Sequence, residues 1–229
     1  MSDDKLSQAP GKRAIVIAVD GPAASGKGTV ARALASYFGL PHMDTGILYR
    51  AVALNLFRFG GDPGNEFEAL RACDLTSVSL EDPDLRSEIV GSFASRISGY
   101  PAVREKLFDR QRRFASQAGG AVLDGRDIGT VVAPDADVKL FVTASLEVRA
   151  CRRVAELLSR GIAAHLEDVL IDLQARDARD SGRDVAPLTQ AKDALLLDTS
   201  ALDVDQAIAA AIVLAEKRLR DAGEMLNPV

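Results

Sequence analysis

Residues 14–29 read AIVIAVDGPAASGKGT: an apolar run rich in β-branched residues, one acid, then a glycine-rich turn closed by a lysine. Ala14–Val19 has the pattern of a short strand buried on both faces, as in parallel sheets. Gly21–Thr29 fits G-x-x-x-x-G-K. In such a turn the glycines let successive N–H groups point inward around phosphate oxygens, and the following helix adds its positive N-terminal end. A lysine at this position reaches the β- and γ-phosphates of a bound nucleotide. The candidate phosphate-binding residues are therefore Gly21, Pro22, Ala23, Ala24, Ser25, Gly26, Lys27, Gly28 and Thr29. The helix is expected from near Lys27 to about Phe38, with Val30, Leu34, Ala35 and Phe38 on one face and Gly39 and Pro41 stopping it.

The rest of the chain repeats this alternation. Leu40–Met43, Ala121–Leu123, Val138–Thr143 and Ala194–Leu197 are apolar strand candidates, and each is followed by a polar cluster. Helical patterns are expected over Ile47–Phe59, Pro101–Ala118, Leu146–Leu158, Leu166–Asp180 and Val204–Asp221. Gly60–Ser92 is turn-rich and weakly periodic, which marks an insertion or small subdomain. Strands alternating with helices predict an α/β fold, an open five-stranded parallel sheet with helices on both faces. Ligands of such sheets sit beyond the carboxyl ends of the strands, where the polar clusters fall.

Composition sets bounds. With 229 residues, 47% of them hydrophobic, the chain suits a single domain that buries roughly 70% of its unfolded surface without disulfide or metal staples. A formal net charge of −5 argues against nucleic acid as a partner. Cys73 and Cys151 stand far apart, outside any C-x-x-C pairing, and are expected as reduced thiols. Met1–Arg13 is polar and lacks the apolar region of a secretory signal. No stretch reaches the ~18 apolar residues of a membrane span. These features predict a cytoplasmic protein.

Three clusters stand out on the side of an acceptor. In Asp44-Thr45-Gly46-Ile47-Leu48-Tyr49-Arg50, Thr45 is expected to cap a helix and Arg50 to face the cleft; a capped helix with a surface arginine fits the pattern equally. Asp124-Gly-Arg126-Asp127-Ile-Gly129-Thr130 follows a strand, where Arg126 suits a bidentate hold on a monophosphate and Asp127 suits an amino group or a second arginine. Arg176, Arg179 and Arg183 recur at i, i+3 and i+7, one expected helical face, and Gly182 and Pro187 close the segment as in a hinged lid. A solvated salt-bridge helix has a similar pattern. Gly28 stands where the strict motif carries a magnesium-binding hydroxyl, so Thr29 becomes the candidate metal residue. The G-K-G-T form resembles nucleoside monophosphate kinases, and the N-K-x-D element of GTPases is missing from the sequence.

Taken together, GPAASGKGT, DTGILYR, ASRISGYPAVRE, DGRDIGTVV-PDA and RDARDSGR-VAPL make the chain resemble the bacterial cytidylate kinases from about Ile15 to the last helix. The resemblance implies an adenylate-kinase-like P-loop fold in three parts. These are a core (14–40, 119–158, 186–229), a nucleoside-monophosphate-binding part (41–118) and a lid (159–185). It implies ATP as phosphoryl donor, Mg²⁺, CMP or dCMP as acceptor, and a monomer. Lys27, Arg126, Arg179 and Arg183 would be catalytic. Ser95, Arg104 and Asp127 match the family's readers of the cytosine edge, and Arg50, Arg126 and Arg183 its holders of the phosphate. Arg176 and Asp180 match its ribose contacts, and Thr45 replaces a family serine while keeping the hydroxyl. The family's β-rich insertion is shortened here, near Ala72–Glu88. Another small P-loop kinase with a different acceptor is the neighbouring reading; a nucleotide-dependent switch module is a more distant one.

Overall fold

The computed structural model describes residues 14–76 and 78–223; the polar segment Met1–Arg13 lies outside them. Five parallel strands form one sheet: β1 (Ile15–Asp20), β2 (His42–Asp44), β3 (Gly120–Gly125), β4 (Val138–Thr143) and β5 (Leu195–Asp198), in the spatial order β2-β3-β1-β4-β5. β1 lies at the centre and both of its faces are covered. Ile15, Ile17 and Val19 alternate toward α1 (Lys27–Phe38) and α8 (Val204–Asp221), where they meet Leu34, Val122, Leu140 and Leu219. Ala18 faces the opposite side with Leu123 and Ile128, near α5 (Pro101–Ala115). This alternation explains why β1 is apolar throughout instead of every second residue. The expected strands all form, each within one or two residues of its expected bounds.

α2 (Gly46–Arg58), α3 (Glu66–Arg71), α4 (Glu88–Ile97) and α5 enclose a separate apolar cluster built on Leu48, Leu54, Leu56, Leu85 and Ile97. Here the expectation of a turn-rich stretch over Gly60–Ser92 needs correction. It contains α3, a 3₁₀ turn at Pro83–Arg86 and the start of α4. α3 has six residues, too few for a 3.6-residue period to show. It forms because Asn65 caps the amides of Phe67 and Glu68, as Ser87 caps Val90 for α4. The stretch 72–84 is strapped to α2: Asn55 Nδ2 donates to the Ala72 and Asp74 carbonyls at 3.0 and 2.9 Å, and Arg58 reaches Asp82 and Asp84. α6 (Leu146–Ser159) and α7 (Leu166–Ser181) pack through Ala150, Leu157, Val169 and Leu173, with Ala23 of the phosphate loop in the same cluster. Among the described residues, no helix is long and apolar enough to cross a membrane. Cys73 and Cys151 are free thiols.

The carboxyl ends of β1, β2 and β3 thus stand side by side, pairing Asp20 with Gly125 and Asp44 with Asp124. A cleft at this edge is where the sequence motifs meet.

Candidate active site

The phosphate loop joins β1 to α1. At Gly21 a side chain is excluded, because a Cβ there would lie 2.0 Å from the Val142 carbonyl oxygen of β4. Gly26 takes a left-handed conformation, φ 89°, immediately before the first helical residue, Lys27. The loop borders a cavity of about 610 Å³, lined also by Asp44, Arg152, Arg153, Thr199 and Val204. Lys27 Nζ donates to the Pro22 carbonyl at 3.4 Å. Burial lowers its pKa to about 7, Arg126 adding to the shift while Asp124 and Asp44 oppose it. An anion beside Lys27 would restore its positive charge, so the loop is built for a ligand that brings negative charge with it.

Three arginines of α6, Arg149, Arg152 and Arg153, do different things beside the loop. Arg149 is buried, paired with Asp177 at 2.7 Å and bonded to the Ala23 and Ala144 carbonyls. It braces the loop from α6. Arg152 is tied to Thr199 and to the Leu202 carbonyl, and Thr199 Oγ1 donates in turn to the Ser25 carbonyl at 3.1 Å. Arg153 forms an ion pair with Glu88 of α4. Arg152 and Arg153 line the donor cavity; Arg149 does not.

A second cavity, about 60 Å³, lies on the other side of the β3 end. Its wall brings together Thr45, Arg50, Ser95, Arg104, Arg126, Asp127, Arg176, Asp180 and Arg183, which are far apart in the chain. Arg126 Nε donates to Asp180 Oδ2 at 2.7 Å. Burial would lower the Arg126 pKa, but the charge and hydrogen bond of Asp180 together with the charges of Asp124 and Asp44 outweigh it and the value rises. For Asp180 the order is the same: burial works against its charge, and Arg126, Arg176 and Arg183 overcome it and hold its pKa low. Asp127 pairs with Arg104, yet burial still raises its pKa. Arg104 also donates to the Ser98 carbonyl and lies 5.8 Å from the centre of the Tyr49 ring. Arg183 Nη1 reaches the Ser98 carbonyl at 3.2 Å. Burial lowers Arg176 to about 9, with Arg126 adding to it. Arg176 Nε and Arg183 Nη2 are buried without a hydrogen-bond acceptor, although Arg183 Nη2 stands 3.4 Å from Asp180 Oδ1.

Several local expectations are corrected. Thr45 occupies the first position before α2 but does not cap it; its hydroxyl donates to the Asp124 carbonyl at 2.8 Å, pinning β2 to β3. Arg176, Arg179 and Arg183 do not share one helical face, because α7 ends at Ser181 and Arg183 lies beyond it. Arg179 is exposed and donates to Ser95 Oγ at 3.3 Å from an adjacent cavity of about 310 Å³, outside the wall that holds the other residues. Arg50 borders both of these cavities while its guanidinium donates to the Leu85 carbonyl at 2.7 Å.

Sequence reasoning passed over four residues here. Tyr49 and Ser98 line the second cavity, and both lie inside the quoted motifs, which was the available signal. Asp124 is 2% exposed, is hydrogen-bonded to His42 Nε2 at 2.7 Å, and acts on the charge of Lys27. Asp20, also buried, accepts from two backbone amides after β3. Both acids are hidden inside motifs whose other members carry more obvious chemistry.

A parallel sheet with a lysine-bearing phosphate loop on one side of its edge and an arginine cage on the other defines a P-loop kinase. The comparisons give the particular kind. The sequence matches the family described as "Cytidylate kinase" over residues 17–217, and the chain belongs to that family. It is 56% identical to a cytidylate kinase of Xanthobacter autotrophicus over 89% of this chain and 98% of that protein. It is 57% identical to one of Granulibacter bethesdensis over 84% of this chain and 92% of that protein. A solved structure described as an uncharacterized protein from Eubacterium ventriosum shares the fold, with a TM-score of 0.53, 14% identity and coverage of 88% of this chain and 98% of that one.

Proposed function

We propose that the chain transfers the γ-phosphoryl group of ATP to CMP or dCMP, giving ADP and the diphosphate, with Mg²⁺ as the accompanying cation. The observation that carries this reading is the acceptor wall. Five arginines, Arg50, Arg104, Arg126, Arg176 and Arg183, line one cavity beside the phosphate loop, and two of them, Arg176 and Arg183, hold buried N–H groups that lack an acceptor. The phosphate and ribose oxygens of a nucleotide supply such acceptors.

In this reading Ser95, Arg104 and Asp127 read the cytosine edge, Arg50, Arg126 and Arg183 hold the acceptor phosphate, and Arg176 and Asp180 flank the ribose. The Arg104–Asp127 pair sets donor and acceptor in a fixed order, which suits a base edge carrying both an amino group and a carbonyl. At about 60 Å³ the acceptor cavity is smaller than the roughly 300 Å³ of common ligand sites, so the walls must part to admit a nucleotide. Segment 159–185 would act as a lid and segment 41–118 as the acceptor-binding part, closing together to exclude water.

The oxygen donors nearest the loop fit a hard cation: the Thr29 hydroxyl and the carboxylates of Asp44 and Asp124, both of which act on the Lys27 charge. When bound, Mg²⁺ neutralises charge on the transferring phosphate. Lys27 aligns the donor phosphates. The acceptor oxygen needs no strong base, since a phosphate monoester is largely dianionic near neutral pH. The work of the site is alignment and charge stabilisation by Lys27, Arg126 and Arg183.

Lys27→Met tests the assignment. Turnover is expected to fall by about three orders of magnitude, while CMP affinity stays within about twofold of wild type. Wild-type turnover in Lys27→Met would refute the phosphate-loop role.

A further inference from the structure

Asp20 ends β1, one residue before the phosphate loop, and the mechanism above gives it no task. Its carboxylate turns toward the chain that leaves β3. Oδ1 accepts from the Ile128 amide and Oδ2 from the Gly129 amide, each at 2.8 Å. These amides open a π-helical turn, Ile128–Val132, directly after Arg126 and Asp127. Such turns are rare and are frequent at functional sites. The later amides of the turn are served from within it, Val131 and Val132 by the Asp127 carbonyl and Ala133 by that of Ile128. The first two depend on Asp20. Asp20 is 5% exposed, so water is poorly placed to substitute for it.

The contact is also tight. A Cβ at Gly129 would stand 3.4 Å from Asp20 Oδ2 and 3.2 Å from Lys139 Cδ, which leaves little room for the turn to shift. Beyond the last ladder pair, Asp20 with Gly125, this carboxylate is a direct bridge from the base of the phosphate loop to the turn that presents Arg126 and Asp127.

We propose that Asp20 is a positioning residue that fixes the acceptor-reading turn relative to the phosphate loop, and so sets the separation of Lys27 from Arg126. The inference rests on the reading of Arg126 and Asp127 as acceptor residues. Transfer demands in-line alignment of the two phosphates, and a displacement of about 1 Å can cost about a hundredfold in rate.

The test is steady-state kinetics with CMP and equilibrium ATP binding for Asp20→Asn, Gly129→Ala and Arg126→Ala. Asp20→Asn keeps one carbonyl acceptor but turns an N–H₂ group on the other amide; Gly129→Ala presses on the same contact from the opposite side. For both, kcat/KM for CMP is expected to fall about a hundredfold while the Kd for ATP changes by no more than about twofold. A folded Asp20→Asn protein with wild-type kcat/KM for CMP, or one whose ATP affinity falls in step with it, overturns the inference. Should Asp20→Asn not fold, amide exchange of the wild type still tests the bridge. The Ile128 and Gly129 amides should be protected before CMP is added, and exchange as fast as an exposed loop overturns it. Arg126→Ala separates the two failures. If it leaves CMP kinetics unchanged, the acceptor reading falls and the inference with it. If it impairs CMP use while Asp20→Asn and Gly129→Ala do not, the inference alone falls.

Discussion

Asp20 carries its carboxylate in a place where burial pushes the pKa from the ordinary 3.8 up to about 7, against the pull of the Gly129 and Ile128 amides. A carboxyl whose pKa is higher in the fold than in the unfolded chain binds more proton in the native state between those two values. Its favourable contribution is complete below the unfolded pKa and is lost as pH rises through about 7. Wild type should therefore lose stability relative to Asp20→Asn between about pH 5 and about pH 8, read from urea unfolding of both proteins at both pH values. An unchanged difference would contradict the burial account. At this scale the sequence shows which residue types gather, but not how deeply each is buried. The Asp124-to-Asp127 cluster is visible in the sequence; that Asp127 pairs with Arg104 from another helix, and Asp124 with His42, depends on strand order.

The elements decide which arginines reach the cavity. α7 ends at Ser181, and the chain beyond Gly182 swings Arg183 inward to Ser98, while Arg179, still on the helix, stays exposed. Spacing along an assumed continuous helix grouped the three together. Helix ends are set by local caps and by what the next segment packs against, which periodicity does not contain. The two arginines should then differ in effect. Arg126→Ala, removing a buried group tied to Asp180, is expected to lower kcat/KM by about 10²-fold or more, and Arg179→Ala by less than about tenfold. Steady-state kinetics of the two variants checks this, and equal losses would return Arg179 to the catalytic group. The α3–α4 region was the least legible. Its helices have six and ten residues, each is capped by one side chain, Asn65 or Ser87, and its order comes from straps by Arg50, Asn55 and Arg58 of α2.

At the scale of the whole molecule, the sheet was legible because β1 is apolar on both faces and each strand is followed by polar residues at one edge. What the sequence did not contain is how α6 and α7 meet α4, through contacts such as Arg153 with Glu88 and Arg179 with Ser95. The sheet core carries both sites, so its loss should disable donor and acceptor binding together. Leu34→Ala, which empties a fully buried position between α1 and the sheet, is expected to cost about 2–5 kcal/mol. Chemical denaturation measures it, and a cost near zero would place Leu34 outside the core.

The central claim concerns the acceptor. The phosphate loop fits an ATP site but does not choose the second substrate; in the proposed reading that choice falls to Ser95, Arg104 and Asp127, which line one cavity. ADP release measured across CMP, dCMP, UMP, AMP, GMP and shikimate tests it most directly. The account predicts that kcat/KM is highest for the two cytidine nucleotides, and dominance of any other acceptor would contradict it.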